Sequence, residues 1–322
     1  MKVAVLSGGR SSEREVSLRS GEAVARGLEQ AGHEATRVTI SVEGSWRCEG
    51  EPVKLVAGAG LLGAEVAFPA LHGPFGEDGS VQGLLEWLDL PYVGSDVLSS
   101  AICMDKLTLK RLFAQAGLPQ VEFVAVGEAD WRQRCEAIDQ PLWVKPSRLG
   151  SSVGISRVEG LGDALERAVE LALRHDPRVI VEASAQGREV ECSLLGNEEV
   201  EASLPGEVIA HGDWYDYETK YREGGMDLEV PAPISEQQSA GVRELAREAF
   251  ELAGCSGLAR CDFFVEPDGA VLVNEVNTMP GFTETSVYAK LWEATGIPYP
   301  ELCDRLVQLA LERHERARSY EF

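Results

Sequence analysis

Four side chains toward the C-terminal end have types and spacing suited to chemistry: Arg260 and Asp262 in Arg-Cys-Asp-Phe-Phe-Val, then Glu275 and Asn277 in Leu-Val-Asn-Glu-Val-Asn. Asp, Glu and Asn offer a cation oxygen ligands, as magnesium requires beside the phosphates of a nucleotide. The apolar runs Phe263-Phe264-Val265 and Val271-Leu272-Val273 flank Glu266-Pro-Asp-Gly269, a turn sequence that folds them into antiparallel neighbours. That pairing brings Asp262 toward Glu275 and Asn277. A surface hairpin with ordinary charged ends fits this segment equally well, so the rest of the chain has to decide.

Other residues fit the same chemistry. Lys145-Pro-Ser-Arg-Leu-Gly150-Ser-Ser-Val-Gly154 sets an ammonium at the end of an apolar strand, then a loop of small residues. Such a loop can turn several backbone N–H groups toward phosphate oxygens, although it also reads as a plain hairpin turn. It is not a Walker A motif, and Ser7 to Glu13 does not match the dinucleotide fingerprint. Lys106 opens a helix, where a cation opposes the dipole and calls for a compensating anion. Lys220 lies beside Tyr221 in a polar stretch. Each lysine alone reads as solvated surface; together with Lys145 they can neutralise much of a triphosphate. Glu182 and Glu189 close and follow a strand, at a spacing that suits an adenine amino group and ribose hydroxyls or two solvated carboxylates. Glu13, in the first turn of a helix, suits capping as well as substrate binding.

The elements that must position these groups read as three units. Lys2 to Leu6 is a short strand ending in Ser7-Gly8-Gly9, and a helix follows from near Ser12, with Glu15 completing a Ser-x-x-Glu capping box. Strand, turn and helix recur through Val66 to Leu71, the His72-Gly73 loop, Val81 to Leu88 and a Tyr92-Val93 strand. This alternation predicts a doubly wound parallel domain over residues 1–103. A helix from about Asp105 to Ala116, stopped by Gly117-Leu-Pro119, opens a small α+β unit over 104–184. Its strands are Glu122 to Val126, Pro141 to Lys145, Ser152 to Ser156 and Val179 to Glu182, and its second helix is Asp163 to Arg174. The third unit, 185–322, begins with a Glu189–Leu195 strand. It holds a helix with Val242, Leu245, Ala246, Ala249, Phe250 and Ala253 on one face, and ends in a helix around Leu302 to Arg313. The irregular stretch at about 211–233 is a candidate mobile lid.

Bulk properties narrow the partners. The 322 residues can bury a large core, and a net charge of -23 argues against nucleic acid or an anionic membrane as the main partner. The seven cysteines are scattered without a Cys-x-x-Cys pair, which argues against zinc and a disulfide framework. No stretch reaches membrane-spanning length and no signal-peptide core is present, so the default location is the cytoplasm.

Taken in order, these motifs resemble the D-alanine:D-alanine ligases of the ATP-grasp superfamily. The residues that carry the resemblance are Gly8-Gly9 through Ser11-Ser-Glu-Arg-Glu-Val-Ser17, His72-Gly-Pro-Phe-Gly-Glu-Asp-Gly79, Met104-Asp-Lys106, Val144 to Arg148 with Gly150 to Gly154, Tyr217 to Tyr221, Arg260-x-Asp262 and Asn274 to Asn277 with Pro280-Gly281. The resemblance covers nearly the whole chain and implies three ATP-grasp domains, the first of them Rossmann-like. It implies ATP-dependent joining of two D-alanines through a D-alanyl phosphate for peptidoglycan synthesis, with two Mg2+ or Mn2+ ions, a monovalent cation as a further option, and a homodimer. Another ATP-grasp carboxylate–amine ligase, or a D-alanyl-D-lactate-forming relative, is the alternative. By motif position, Lys106, Lys145, Ser151, Ser152 and Lys220 would contact ATP phosphates. Glu182, Ala183, Ala185 and Glu189 would hold adenosine, and Asp262, Glu275 and Asn277 would hold the metal. Glu13, linked through Ser151 to Tyr221, and His72 would serve the first D-alanine. Ser286 and Val287 would hold the second, and Arg260 with the Gly281 N–H would stabilise the tetrahedral oxyanion.

Overall fold

The computed structural model describes residues 1–150, 152–210 and 225–321. Ser151, Lys220 and Tyr221 therefore lie outside the described residues, as does most of the expected lid.

The first sheet is built on β1 (Lys2–Gly8), whose Val3, Val5 and Leu6 are fully buried. It pairs in parallel with β2 (Glu34–Ile40) on one side and β5 (Val66–Pro69) on the other, as the strand–turn–helix alternation predicts. Beyond β2 the sheet turns antiparallel through β3 (Trp46–Cys48) and β4 (Glu51–Pro52), two strands the sequence reading does not contain. The expected Tyr92-Val93 strand is a single parallel bridge from Tyr92 to Ala67. Helix α1 (Arg14–Gln30) starts later than expected and lacks the Ser12/Glu15 capping box. Ser11 instead takes the Glu13 N–H at 3.1 Å and donates to the His72 carbonyl at 2.6 Å, while Glu15 pairs with Arg14. Two shorter helices follow, α2 (Ser80–Trp87) and α3 (Val97–Met104).

The central unit begins with α4 (Lys106–Ala116), ended by left-handed Gly117. Its four-stranded antiparallel sheet runs β6 (Phe123–Ala125), β9 (Val179–Ala183), β7 (Leu142–Pro146), β8 (Ser156–Val158). Helices α5 (Trp131–Glu136) and α6 (Asp163–Leu173) cover it, and α6 buries Leu165, Ala168, Val169 and Ala172. The strand expected over Ser152 to Ser156 is mostly a turn: Ser152 adopts a left-handed φ of 60°, and β8 begins only at Ser156 and runs on to Val158.

The third unit is a six-stranded antiparallel sheet. Its path is β13 (Met226–Glu229), β12 (Gly206–Ala210), β10 (Arg188–Gly196), β14 (Gly257–Val265), β15 (Val271–Asn277), with β11 (Glu201–Ala202) on β10. Strand β13 falls within the stretch expected to be irregular: Asp227 and Leu228 pair with Ile209 and Val208, so that end of the segment belongs to the sheet. Helix α7 (Glu236–Leu252) carries a full Ser235/Gln238 capping box and packs Val242, Ala246, Ala249 and Phe250 onto the sheet. Helices α8 (Val287–Thr295) and α9 (Tyr299–Arg318) complete the chain.

The first and third units share one apolar core. Val3, Val5, Phe68 and Leu28 pack with Leu258, Phe282, Tyr288, Trp292 and Leu306. Phe282 is its hub, with ring centroids 5.3 Å from Phe68, 5.4 Å from Tyr288 and 5.6 Å from Tyr299. Both buried phenols reach carbonyls, Tyr288 that of Leu194 and Tyr299 that of Phe282, so burial leaves neither hydroxyl unsatisfied. Gly27 lets α9 approach α1: a side chain there would come within 2.7 Å of the Tyr299 ring. The loops after β1, β5 and β15 are thereby held against one another, and α4 joins the core of the third unit through Leu109 and Phe113.

Candidate active site

The hairpin of β14 and β15 forms as its sequence predicts. Asp262 lies opposite Glu275 and Arg260 opposite Asn277, with a register shift just after Asp262. Residues two apart on a strand share a face, so all four side chains converge. The Arg260 guanidinium forks onto Asp262 at 2.7 and 2.6 Å and reaches Glu191 at 2.8 Å, while the Asn277 amide donates to Asp262 at 3.1 Å. Glu191 was not singled out from sequence. Its place on β10, directly opposite Asp262, makes it a neighbour. Among the described residues no group of three or more His, Cys, Asp or Glu is placed to hold a metal. The set here is two carboxylates and one amide, all oxygen donors on one face, which fits a hard divalent ion.

Cations approach this acidic face from the central unit. Lys106 lies 3.7 Å from Glu275 and donates to the Leu149 carbonyl at 2.9 Å. The anion its helix position calls for is Asp105, which caps α4 through the Thr108 N–H. Asp105 also accepts from the Ser147 hydroxyl at 2.7 Å, and Ser147 in turn takes the Leu107 N–H at 2.9 Å. The loop that follows Lys145 is thus bolted to the start of α4. Its Gly154, at φ 71°, sits where a side chain would strike the His175 ring. Lys145 turns inward to Glu182 at 2.5 Å, and Lys110 meets the other oxygen of the same carboxylate at 3.0 Å. Burial would push the Glu182 carboxyl up, but the two ammonium groups outweigh it and hold it at about 2. Glu182, expected at an adenine amino group, is thus clasped by two lysines. Ala183 ends β9, and Ala185 and Glu189 lie in the turn and strand just beyond.

A cleft of about 880 Å³ connects the acidic face to the first unit. Glu13, His72, Lys106, Ser152, Arg260, Glu275, Asn277, Gly281, Ser286 and Val287 all line it. Asp262, Lys145, Glu182, Ala183, Ala185 and Glu189 are not among its lining residues.

Models of the D-ala D-ala ligase family match both parts of the chain, the N-terminus over residues 2–60 and 50–95 and the C-terminus over 112–308. The chain belongs to the D-Ala:D-Ala ligase family. Its fold is the ATP-grasp fold, as the sequence motifs imply. A D-alanine–D-alanine ligase from Geobacillus kaustophilus is 42% identical over an alignment spanning 99% of this chain and 96% of the relative. The solved D-alanine-D-alanine ligase of Coxiella burnetii superposes with a TM-score of 0.89 at 36% identity, covering 99% and 96% of the two chains. A D-Ala:D-Ser ligase from Enterococcus faecalis gives 0.87 at 34%, covering 96% and 99%.

Within this ligase, the cleft end formed by the first unit has its own electrostatics. His72 contacts the Met279 carbonyl through Nδ1 at 3.0 Å and the Ser20 hydroxyl through Nε2 at 2.8 Å. A carbonyl only accepts, so Nδ1 carries the proton and the neutral ring accepts from Ser20 through Nε2. Burial depresses the His72 pKa, opposed by nearby Glu13, which is consistent with the neutral form. Glu13 is the N-cap residue of α1 but makes no capping bond with its side chain. Its carboxylate occupies the space left by Gly73 and Gly150, where a side chain on Gly150 would approach within 3.2 Å. Glu77 sits within the quoted His72–Gly79 motif, yet sequence alone assigned it nothing. Burial, then the neighbouring Glu13, push its carboxyl up to about 8, while the Gly73 N–H donates to it at 2.5 Å. Beyond the Met279–Phe282 stretch that His72 and Ser20 hold, Ser286 is the extended N-cap residue of α8 and takes the Thr283 N–H at 3.0 Å. A helix N-terminus opening into the cleft favours a carboxylate.

Proposed function

We propose that the cleft between the Glu13/His72 loops and the β14–β15 hairpin is where this ligase joins its two D-alanines. The chain is an ATP-dependent D-alanine–D-alanine ligase that uses a divalent metal and serves peptidoglycan synthesis. In the reaction, the carboxylate of the first D-alanine attacks the γ-phosphorus of ATP. The O–P bond forms as the bond to the β–γ bridging oxygen breaks, and ADP leaves. The amine of the second D-alanine then adds to the acyl carbon and loses a proton; phosphate departs as the C–N bond is completed.

The observation that carries this reading is the shared cleft, which unites an acid-lined hairpin with Arg260, a neutral histidine, a buried carboxylate and an open helix start. Glu13 supplies the negative charge that an ammonium needs, and neutral His72 adds no repulsion to it. The N-terminus of α8, with Ser286 and Val287, suits the carboxylate of the second D-alanine. Arg260 and the Gly281 N–H face the region where an oxyanion would develop, a preorganised electrostatic contribution of the kind that dominates acyl transfer. Asp262, Glu275 and Asn277 would hold two magnesium or manganese ions, whose chemistry is to neutralise charge on the phosphates. Lys106, Lys145 and Ser152 would share that task, with Ser151 and Lys220 beyond the described residues; Glu182, Ala183, Ala185 and Glu189 would hold adenosine.

The ligase acts in the cytoplasm, where its nucleotide is; among the described residues no helix is long and apolar enough to cross a membrane. It acts as a homodimer. Trp87 and Leu98, 75% and 67% exposed on α2 and α3, offer an apolar contact on the first unit.

The test supplies magnesium, ATP and D-alanine and measures phosphate together with dipeptide, with L-alanine, D-serine and D-lactate in parallel. Phosphate release matched by D-Ala-D-Ala is expected. Turnover with L-alanine alone, or none with D-alanine, overturns the reading, and preferential use of D-serine or D-lactate as the second substrate overturns its dipeptide specificity.

A further inference from the structure

We propose that Lys110, a residue with no role in the reading above, is a positioning residue for nucleotide binding: it keeps the Glu182 carboxylate neutralised so that Lys145 is free to turn to a phosphate. The inference rests on the assignment of Lys145 to the nucleotide.

Glu182 lies on β9 opposite Trp143 of β7 and Phe123 of β6, and Lys145, two residues beyond Trp143, shares that sheet face. From below, α4 sends up Lys110, whose ammonium stands 5.9 Å from the centre of the Phe123 ring. One carboxylate thus receives two cations, each on its own oxygen: Lys110 on Oε1 and Lys145 on Oε2. The two lysines are not equivalent. Both feel Glu275 of the third unit, but the Lys145 side chain is 16% exposed and also feels Glu189, whereas the Lys110 side chain is 2% exposed. A polyanion arriving from solvent can therefore be met by the part-exposed Lys145 and not by the enclosed Lys110. Among the described residues Glu182 is the only salt-bridge partner of Lys110.

The need for a second cation follows from the cost of burying an unpaired charge. Were Lys145 the sole partner of Glu182, its departure would strand a carboxylate in the interior, so it would stay where it is. With Lys110 in place, Glu182 keeps one partner when Lys145 leaves. Glu182 also remains ionised, with its acceptor oxygen held in position for a nucleobase amino group.

The experiment compares KM for ATP, KM for D-alanine and kcat in wild type, Lys110→Met, Lys110→Arg, Glu182→Gln and the Lys110→Met/Glu182→Gln double variant, with thermal melting on each. Lys110→Met is expected to raise KM for ATP about tenfold or more, with KM for D-alanine little changed. Lys110→Arg keeps the charge and should recover most of that loss. In the Glu182→Gln background there is no carboxylate to neutralise, so adding Lys110→Met should change KM for ATP less than about twofold. An equal effect of Lys110→Met with and without Glu182, or a lowered melting temperature with unaltered KM for ATP, overturns the proposal. Should Lys110→Met fail to fold, the Arg variant and the double variant against Glu182→Gln decide the matter by the same criteria. Lys145→Met separates the two layers: if it too leaves KM for ATP unchanged, the nucleotide assignment has failed, whereas a raised KM there with an inert Lys110 sinks only the role of Lys110.

Discussion

Acid should weaken the folded protein through the Lys110–Glu182–Lys145 cluster, and the size of the effect follows from its geometry. Burial opposes ionisation of Glu182, but Lys110 at 3.0 Å and Lys145 at 2.5 Å prevail and bring the carboxyl from 4.5 to about 2. Between those two values the unfolded chain binds more protons than the folded one, so stability rises with pH across that range. The contribution is fully present above about 4.5, declines as pH falls and is gone below about 2. At ~1.4 kcal/mol per tenfold change it amounts to about 3 kcal/mol at neutral pH, of which about 2 kcal/mol is lost by about pH 3. The lysines do not blur this window. Lys145 is raised, its burial outweighed by Glu182, and Lys110 is lowered by burial, with the adjacent Glu182 carboxylate opposing the shift.

The proper reference is Lys110→Met/Glu182→Gln, which removes the carboxylate with its most deeply buried partner. A single Glu182→Gln change would leave Lys110 unpaired and titrating in its own right. For a chain of 322 residues, ~2.1 cal/mol/K of unfolding entropy per residue converts 2 kcal/mol to about 3 °C. Melting temperatures of the two proteins, followed by circular dichroism from about pH 6.5 to about pH 3, should therefore draw together by about 3 °C as pH falls. A gap that stays constant to within about 1 °C would refute the ionised cluster.

Three further outcomes follow from the site. Arg260→Met removes the cation forked onto Asp262 and reaching Glu191; kcat should fall by roughly 10²–10³-fold, with KM for ATP little changed. Steady-state kinetics check this, and near-wild-type turnover would remove Arg260 from the oxyanion role. Asp262→Asn should raise the magnesium concentration for half-maximal activity by roughly tenfold or more, read from metal titrations at saturating ATP. Gly154→Val places a branched side chain at φ 71°, within 2.7 Å of the His175 ring, and should destabilise the central unit by about 1–3 kcal/mol while raising KM for ATP.

Much of this arrangement was legible in the sequence wherever one element carried the information. The Glu266–Gly269 turn between two apolar runs fixes the hairpin, and the hairpin fixes Asp262 opposite Glu275. The boundary of α4 at Gly117 follows from its left-handed cap, and the buried face of α7 from 3.6-residue spacing. The residues that escaped are those whose meaning arises between elements. Ser12 and Glu15 spell a local capping box for α1, and only the packing of β1 against β5 shows that the residue before it, Ser11, ties the helix start to the His72 loop. Strands β3 and β4 are too short for any periodicity to register.

Glu191 and Lys110 make the same point about charge. On β10, Glu191 alternates with apolar neighbours like any surface carboxylate, and it becomes a partner of Arg260 only through the β10–β14 register. Lys110 sits among Leu107, Leu109 and Phe113, where a lysine reads as the polar edge of an amphipathic helix, yet it is buried. The signal that could have found it is the imbalance at Glu182: a buried carboxylate closing an apolar strand, Val179-Ile-Val-Glu, needs a cation that does not leave. Lys145, its partner on the neighbouring strand, is the one that the proposed nucleotide role would require to move. A buried acid whose first partner has another task therefore implies a second, and α4, whose capped start is bolted to the loop after Lys145, is the element placed to provide it.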